Sequence, residues 1–208
     1  KLKKYLRISL GKLISKRDYQ TAHALIACTL SKVTCLDPKK EVYDFLKDVH
    51  EYLRQLIKIY PSSEEAFNAV KELYGDCCRP FYESMIDSVL LNDFDSKQFY
   101  DLKFNLIHQK ILYSSLYDDR ELQKLIYERW TKYGLDLLIE SGKEESVILD
   151  YLSQYADSEA VQVNYVDYYV RKGHYQKALD ILDEHTGHAY EVKKQEVIDA
   201  MNHHKEVS

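Results

Sequence analysis

Apolar side chains recur every three or four residues along nearly the whole chain, which is the spacing of an amphipathic helix. Leu2, Leu6, Leu10, Leu13 and Ile14 draw a first stripe that closes at Ser15. "SKRD" interrupts it, and Tyr19, Ala22, Ile26 and Leu30 draw a second. Asp37-Pro38 predicts a turn with a helix start behind it, because proline suits the first helical turn. A long stripe follows on Val42, Leu46, Val49, Leu53 and Leu56, up to Pro61. In "PSSEEAF", Ser62 or Ser63 can cap and the glutamates occupy the first turn, so a helix runs from there to about Gly75. Arg79-Pro80 opens another, carrying Phe81, Met85, Val89 and Leu90. "NDFDS" is a turn. Phe99, Leu102, Leu106 and Ile107 carry a helix toward Tyr117, and the next begins near Arg120 on Leu122, Leu125, Ile126, Trp130 and Leu137.

The last third is the most regular. Helices to Ile139 and over 144–155, 158–171, 175–185 and 189–203 are separated by "ESGK", "ADS", "KGH" and "TGH". Aligning Gly142 with Gly173 gives a period of 31 and sets Val147 against Ala178, Ile148 against Leu179 and Tyr151 against Leu182. "LISKRDYQTAHALI" near the start repeats "YVRKGHYQKALDIL": Tyr19-Gln20 meets Tyr175-Gln176 and Ala22 meets Ala178. Each part has a physical reason. The break lets two helices fold back, the aromatic fills the gap between them, and the small Ala lets them approach closely. A period in the thirties with this layout resembles tetratricopeptide (TPR) or half-a-tetratricopeptide (HAT) repeats, whose units bury their apolar faces only when stacked. The resemblance is degenerate: Arg17 stands where the glycine would be in the first copy, Glu144 replaces the aromatic in another, and 40–120 shows no clean repeat. The expected fold is therefore all-α, a TPR/HAT-like α-solenoid of antiparallel hairpins. It forms one domain over 1–208, with a first hairpin over 1–36, irregular long helices over 37–120 and regular TPR-like hairpins over 121–208.

Composition agrees with helices. Only 6 glycines and 3 prolines in 208 residues argue against β-sandwiches and Rossmann folds, which need many turn residues. The net charge of −5 disfavours a chain that neutralises phosphates by itself. One segment departs from this: residues 1–17 hold Lys1, Lys3, Lys4, Arg7, Lys12, Lys16 and Arg17 and no acid. They form either a solvated helix face or a patch for an acidic partner or a phosphate backbone, with Lys1, Lys3, Lys4 and Arg7 as its candidate contacts. Cys28, Cys35, Cys77 and Cys78 form no CxxC, and Cys28 and Cys35 are too far apart on one helix to bridge, so buried free thiols in a reducing, intracellular compartment are expected. No apolar run approaches a membrane span, and a chain beginning with Lys reads as a fragment.

Candidate chemistry is thin. Nucleotide-binding loops, metalloprotease and calcium motifs and the GxSxG elbow are all missing. His185 and His188 straddle a turn glycine without a cysteine nearby, and Asp118-Asp119 and Glu144-Glu145 suit helix starts better than acid–base catalysis. No cofactor, metal or enzymatic activity is expected. The 19 tyrosines fit packing between helices, with Tyr5, Tyr133, Tyr155 and Tyr168 as candidates to face a partner protein.

Two segments resemble a particular family. "RISLGKLISKRDYQTAHALIACTLSK", continuing into "EVYDFLKDVHEYLRQLIKIYPSSEEAFNAVKELYG", is similar to the opening of the TPR-like subunit of the RNA polymerase I core promoter factor, the selectivity factor of animals. "IYERWTKYGLDLLIESGKEESVILDYLSQYADSEAVQVNYVDYYVRKGHYQKAL" is similar to its later part. The resemblance rests on the order and spacing of helical packing positions. It implies a non-enzymatic scaffold that joins a TFIIB-like zinc-ribbon subunit, a propeller-bearing subunit and RNA polymerase I at the ribosomal DNA core promoter in the nucleolus, touching DNA at most indirectly. The competing expectation is a general TPR/HAT-type scaffold in vesicle tethering or RNA processing, which would be cytoplasmic or nuclear.

Overall fold

The computed structural model describes residues 2–78 and 82–207. Lys1, Arg79, Pro80 and Phe81 lie outside the described residues, as do the side chains of Leu2, Ala189 and 203–207. Among the described residues the chain is all-helical, with no strand: α1 (Leu2–Ser15), α2 (Tyr19–Val33), α3 (Lys40–Leu56), α4 (Ser63–Glu72), α5 (Ser84–Asn92), α6 (Tyr100–Ser114), α7 (Arg120–Glu140), α8 (Glu145–Gln154), α9 (Glu159–Arg171), α10 (Tyr175–Asp183) and α11 (His188–Val207). No helix among them is long and apolar enough to cross a membrane. The chain gathers into two compact units, Lys1–Gln98 and Phe99–Ser208.

In the first unit, α2 is capped by Asp18, whose carboxylate accepts from the Thr21 amide, and α4 by Ser62, which accepts from Glu65. Most of the stripe drawn on the sequence is buried: Leu6, Leu10, Ala22, Ile26, Leu30, Val49, Leu53 and Leu56 are all within 2% of full burial, while Leu13, Ile14 and Tyr19 are half-buried. The Phe67 ring meets Phe94 edge to face at 5.2 Å, and Arg54 on α3 grips Asp93 at the end of α5 through two nitrogens, both at 2.8 Å from the same oxygen. The cysteines depart from expectation. Cys28 is exposed, and Cys35 and Cys78 are exposed and joined in a disulfide, with Cα atoms 5.2 Å apart. The bridge joins elements distant in sequence: Cys78 arrives beside the end of α2, where its amide donates to the buried Thr34 hydroxyl at 2.9 Å.

In the second unit α6 packs along α7, α7 packs on α8 and α9, and α9 packs on α10 and α11. Three helix ends share one turn. Arg17, Gly142 and Gly173 have φ of 58°, 69° and 74°, in the left-handed region. At each, the amide of that residue donates three residues back and the next amide donates five back: Arg17 to Ile14 and Asp18 to Leu13, Gly142 to Ile139 and Lys143 to Leu138, Gly173 to Val170 and His174 to Tyr169. This is the Schellman closure, which satisfies carbonyls that a helix end otherwise leaves open.

The packing register differs from the sequence alignment at one copy. α2 and α10 begin two residues after the left-handed residue, but α8 begins three after Gly142. The close-contact position, Ala22 in α2 and Ala178 in α10, is therefore taken in α8 by Ile148, which is 1% exposed, while Val147 is 41% exposed. The extra turn residue rotates the whole buried face by one position.

Arg17 pays the left-handed penalty that glycine avoids. Arg17→Gly is expected to raise stability by roughly 1 kcal/mol and Gly173→Ala to lower it by a similar amount. Midpoints of urea unfolding followed by circular dichroism check both signs.

Candidate functional site

The α6–α7 hairpin ends in an apolar tip. α6 turns Ile107 and Ile111 inward, which leaves Leu112, Tyr113 and Leu116 outside, 70%, 58% and 74% exposed. α7 starts from Asp119, whose carboxylate accepts from the amides of Glu121 and Leu122, and turns Ile126 and Trp130 inward. Leu122 and Leu125, expected on the same apolar stripe, are instead left 37% and 64% exposed, because Ile126 and Trp130 set the inward face. Beside the tip is an open cleft of about 450 Å³, lined by Ile111, Leu112, Arg120, Lys124, Tyr127 and Asp157 among others. The Tyr127 hydroxyl donates to Asp157 at 2.8 Å, fixing one wall. Five large exposed apolar side chains within fourteen residues, next to a cleft with both cations and an acid, are the features of a protein-binding surface. The helical stripes did not reveal this site, because Leu112 and Leu116 lie off the buried stripe. Their i, i+4 spacing was the available signal.

The residues nominated from sequence are scattered. Tyr5 is 64% exposed on α1, beside the exposed Lys4 and Arg7, while Lys3 is held by Asp48 at 2.7 Å. Tyr133 is half-buried, edge-on to Trp130 at 5.4 Å. Tyr155 is 7% exposed between Tyr127 and Tyr151, so its ring serves the inside of the unit. Tyr168 is half-buried, stacked on Tyr165 and covered by the Lys172 ammonium at 4.8 Å.

Polar side chains tie α7, α8 and α9 together behind the tip. The Glu128 carboxylate sits at the start of α9, accepting from the Ser158 hydroxyl at 2.6 Å and the Ala160 amide at 2.8 Å. Tyr151 on α8 donates to the Thr131 carbonyl at 2.9 Å, and its ring lies so close to Gly134 that a Cβ there would sit 1.9 Å from the phenol oxygen. Asn164 donates to Asp136, which also holds Lys132, and Lys193 on α11 is shared by Asp167 and Glu196. These polar groups are engaged with one another. His185 stacks on Tyr190 at 4.8 Å, and no group of three potential metal ligands is gathered among the described residues.

Comparison with protein families, with curated proteins and with solved structures returns no match to this chain.

Burial, aided by Tyr19 and the glutamates Glu72 and Glu65, raises the Tyr60 phenol to about 12. Burial likewise raises Tyr127, Tyr151 and Tyr165 well above the ordinary value near 10. The folded chain favours the neutral phenol, so its contribution is complete below about pH 10 and is lost as pH rises toward the folded values. Far-UV circular dichroism is expected to stay constant up to about pH 10 and then fall. The last part of the tyrosinate absorbance, from the buried rings, should rise together with that loss, not ahead of it.

Proposed function

We propose that this chain is a non-enzymatic helical scaffold subunit that holds partner proteins together, with the apolar tip of α6–α7 as a main contact. The observation that carries the reading is that tip: Leu112, Tyr113, Leu116 and Leu125 are each more than half exposed, and Leu112 also lines a cleft. A stacked-hairpin, TPR-like arrangement of the second unit is supported by its contact order, in which α7, α9 and α11 lie side by side and α8 and α10 pack against them. The three identical left-handed closures at Arg17, Gly142 and Gly173 support the same reading for the repeats.

The finer assignment follows the resemblance of Arg7–Lys32, Glu41–Gly75 and Ile126–Leu179 to the TPR-like subunit of the RNA polymerase I core promoter factor. On this reading the partners are a TFIIB-like subunit, a propeller-bearing subunit and RNA polymerase I, and the chain works in the nucleolus. The acidic net charge of −5 suits contacts to proteins more than to promoter DNA.

Affinity purification of the tagged chain from its own cells tests both levels. RNA polymerase I initiation factors are expected to co-purify. Recovery of only tethering or RNA-processing components would replace the promoter assignment with the general scaffold. Leu112→Asp combined with Leu116→Asp is expected to leave stability within about 0.5 kcal/mol, since both side chains are exposed, and to deplete at least one partner. An unchanged partner set would remove the tip from the reading.

A further inference from the structure

We infer that the outer face of α1 is a docking site for an acidic amphipathic helix of a partner protein. The inference rests on the scaffold reading only in supplying a second kind of partner contact.

α1 turns Leu6 and Leu10 inward, at 2% and 0% exposure. On the opposite side, Lys4, Ile8, Gly11 and Ser15 follow one another at steps of four, three and four residues, which places them on a single line along the helix. Arg7 flanks this line on one side, and Lys12 and Tyr5 flank it on the other. Ile8 is 47% exposed and Tyr5 64%.

Gly11 has no role inside the chain. A glycine in a helix interior costs about 1 kcal/mol relative to alanine. At Gly134 the close approach of Tyr151 demands that cost, but a Cβ built at Gly11 would meet nothing within 4 Å. Nor does Gly11 have a positive φ. What the missing side chain leaves is a shallow notch beside an exposed isoleucine, where the backbone of a second helix can come close.

Charge selects the occupant. Lys4, Arg7 and Lys12 stand exposed, and α1 carries no acidic residue. A helix seated in the notch would lay a small apolar ridge over Ile8 and Gly11 and present carboxylates to the cations on both sides. A phosphate backbone would satisfy the cations but would cover Ile8 with no apolar partner, which makes it the poorer fit.

The probe is a labelled synthetic helix with alanine and leucine on one face and glutamates flanking it, titrated by fluorescence anisotropy against the full chain. A DNA duplex serves as the phosphate control. The peptide is expected to bind saturably. Gly11→Leu should retain or raise the unfolding midpoint, since the position is open, yet weaken peptide binding by about tenfold or more. Substituting Lys4, Arg7 and Lys12 by Gln should weaken binding and flatten its salt dependence. Duplex binding should be weaker than peptide binding and indifferent to Gly11→Leu. Absent peptide binding, or equal binding by Gly11→Leu, overturns the inference. A duplex that binds more tightly than the peptide transfers the face to phosphate, and self-association abolished by Gly11→Leu transfers it to a second copy. Loss of the promoter-factor partners in affinity purification, with peptide binding intact, would defeat the functional assignment and leave this site standing.

Discussion

A helix that ends must satisfy its last carbonyls before the chain can reverse, and among the described residues one backbone geometry does so three times. The left-handed residue at 17, 142 or 173 lets two successive amides reach back to the helix they leave. Those bonds fix the direction of exit, and the number of residues before the next helix then decides which position is buried: Ala22 and Ala178 after a two-residue step, Ile148 after a three-residue one, with Ile26, Leu182 and Leu152 one turn later. The hairpins are specified by their turns first and filled by their side chains second.

The filling is closest where α7 meets α8. Gly134 admits the Tyr151 ring, Tyr151 bonds the Thr131 carbonyl, and Glu128 three residues earlier closes the start of α9. Nearly two turns of α7 thus hold the two following helices by three different devices: space, a phenol and a carboxylate at a helix N-terminus. Charged side chains add further ties: Asp136 holds Lys132 and Asn164, and Lys193 on α11 is shared by Asp167 and Glu196.

Helix periodicity and breaker residues were enough to read the all-helical class, most helix bounds and the shared turn, since these depend on neighbours in the chain. Features that depend on distant neighbours were not readable. Val147 was aligned with a buried position, but one extra residue before α8 put Ile148 there instead. Cys35 and Cys78 showed no sequence pattern because their meeting depends on how α2 packs. Tyr155 and Tyr5 were both candidates to face a partner, and packing makes one a core residue and the other a surface one. Gly134 and Gly11 make the same point: both interrupt good helices, and only the packing separates the one filled by a tyrosine from the one left open.

The disulfide adds a topological constraint to the first unit. It closes a ring from Cys35 to Cys78 that contains the whole of α3 and α4. Tension applied along the chain passes from residue 35 to residue 78 through sulfur and bypasses those two helices. A protease cut between them would leave both fragments covalently joined. While the bridge is intact, α3 and α4 can be loosened only as a closed loop, and the way to free them is chemical reduction, not mechanical force.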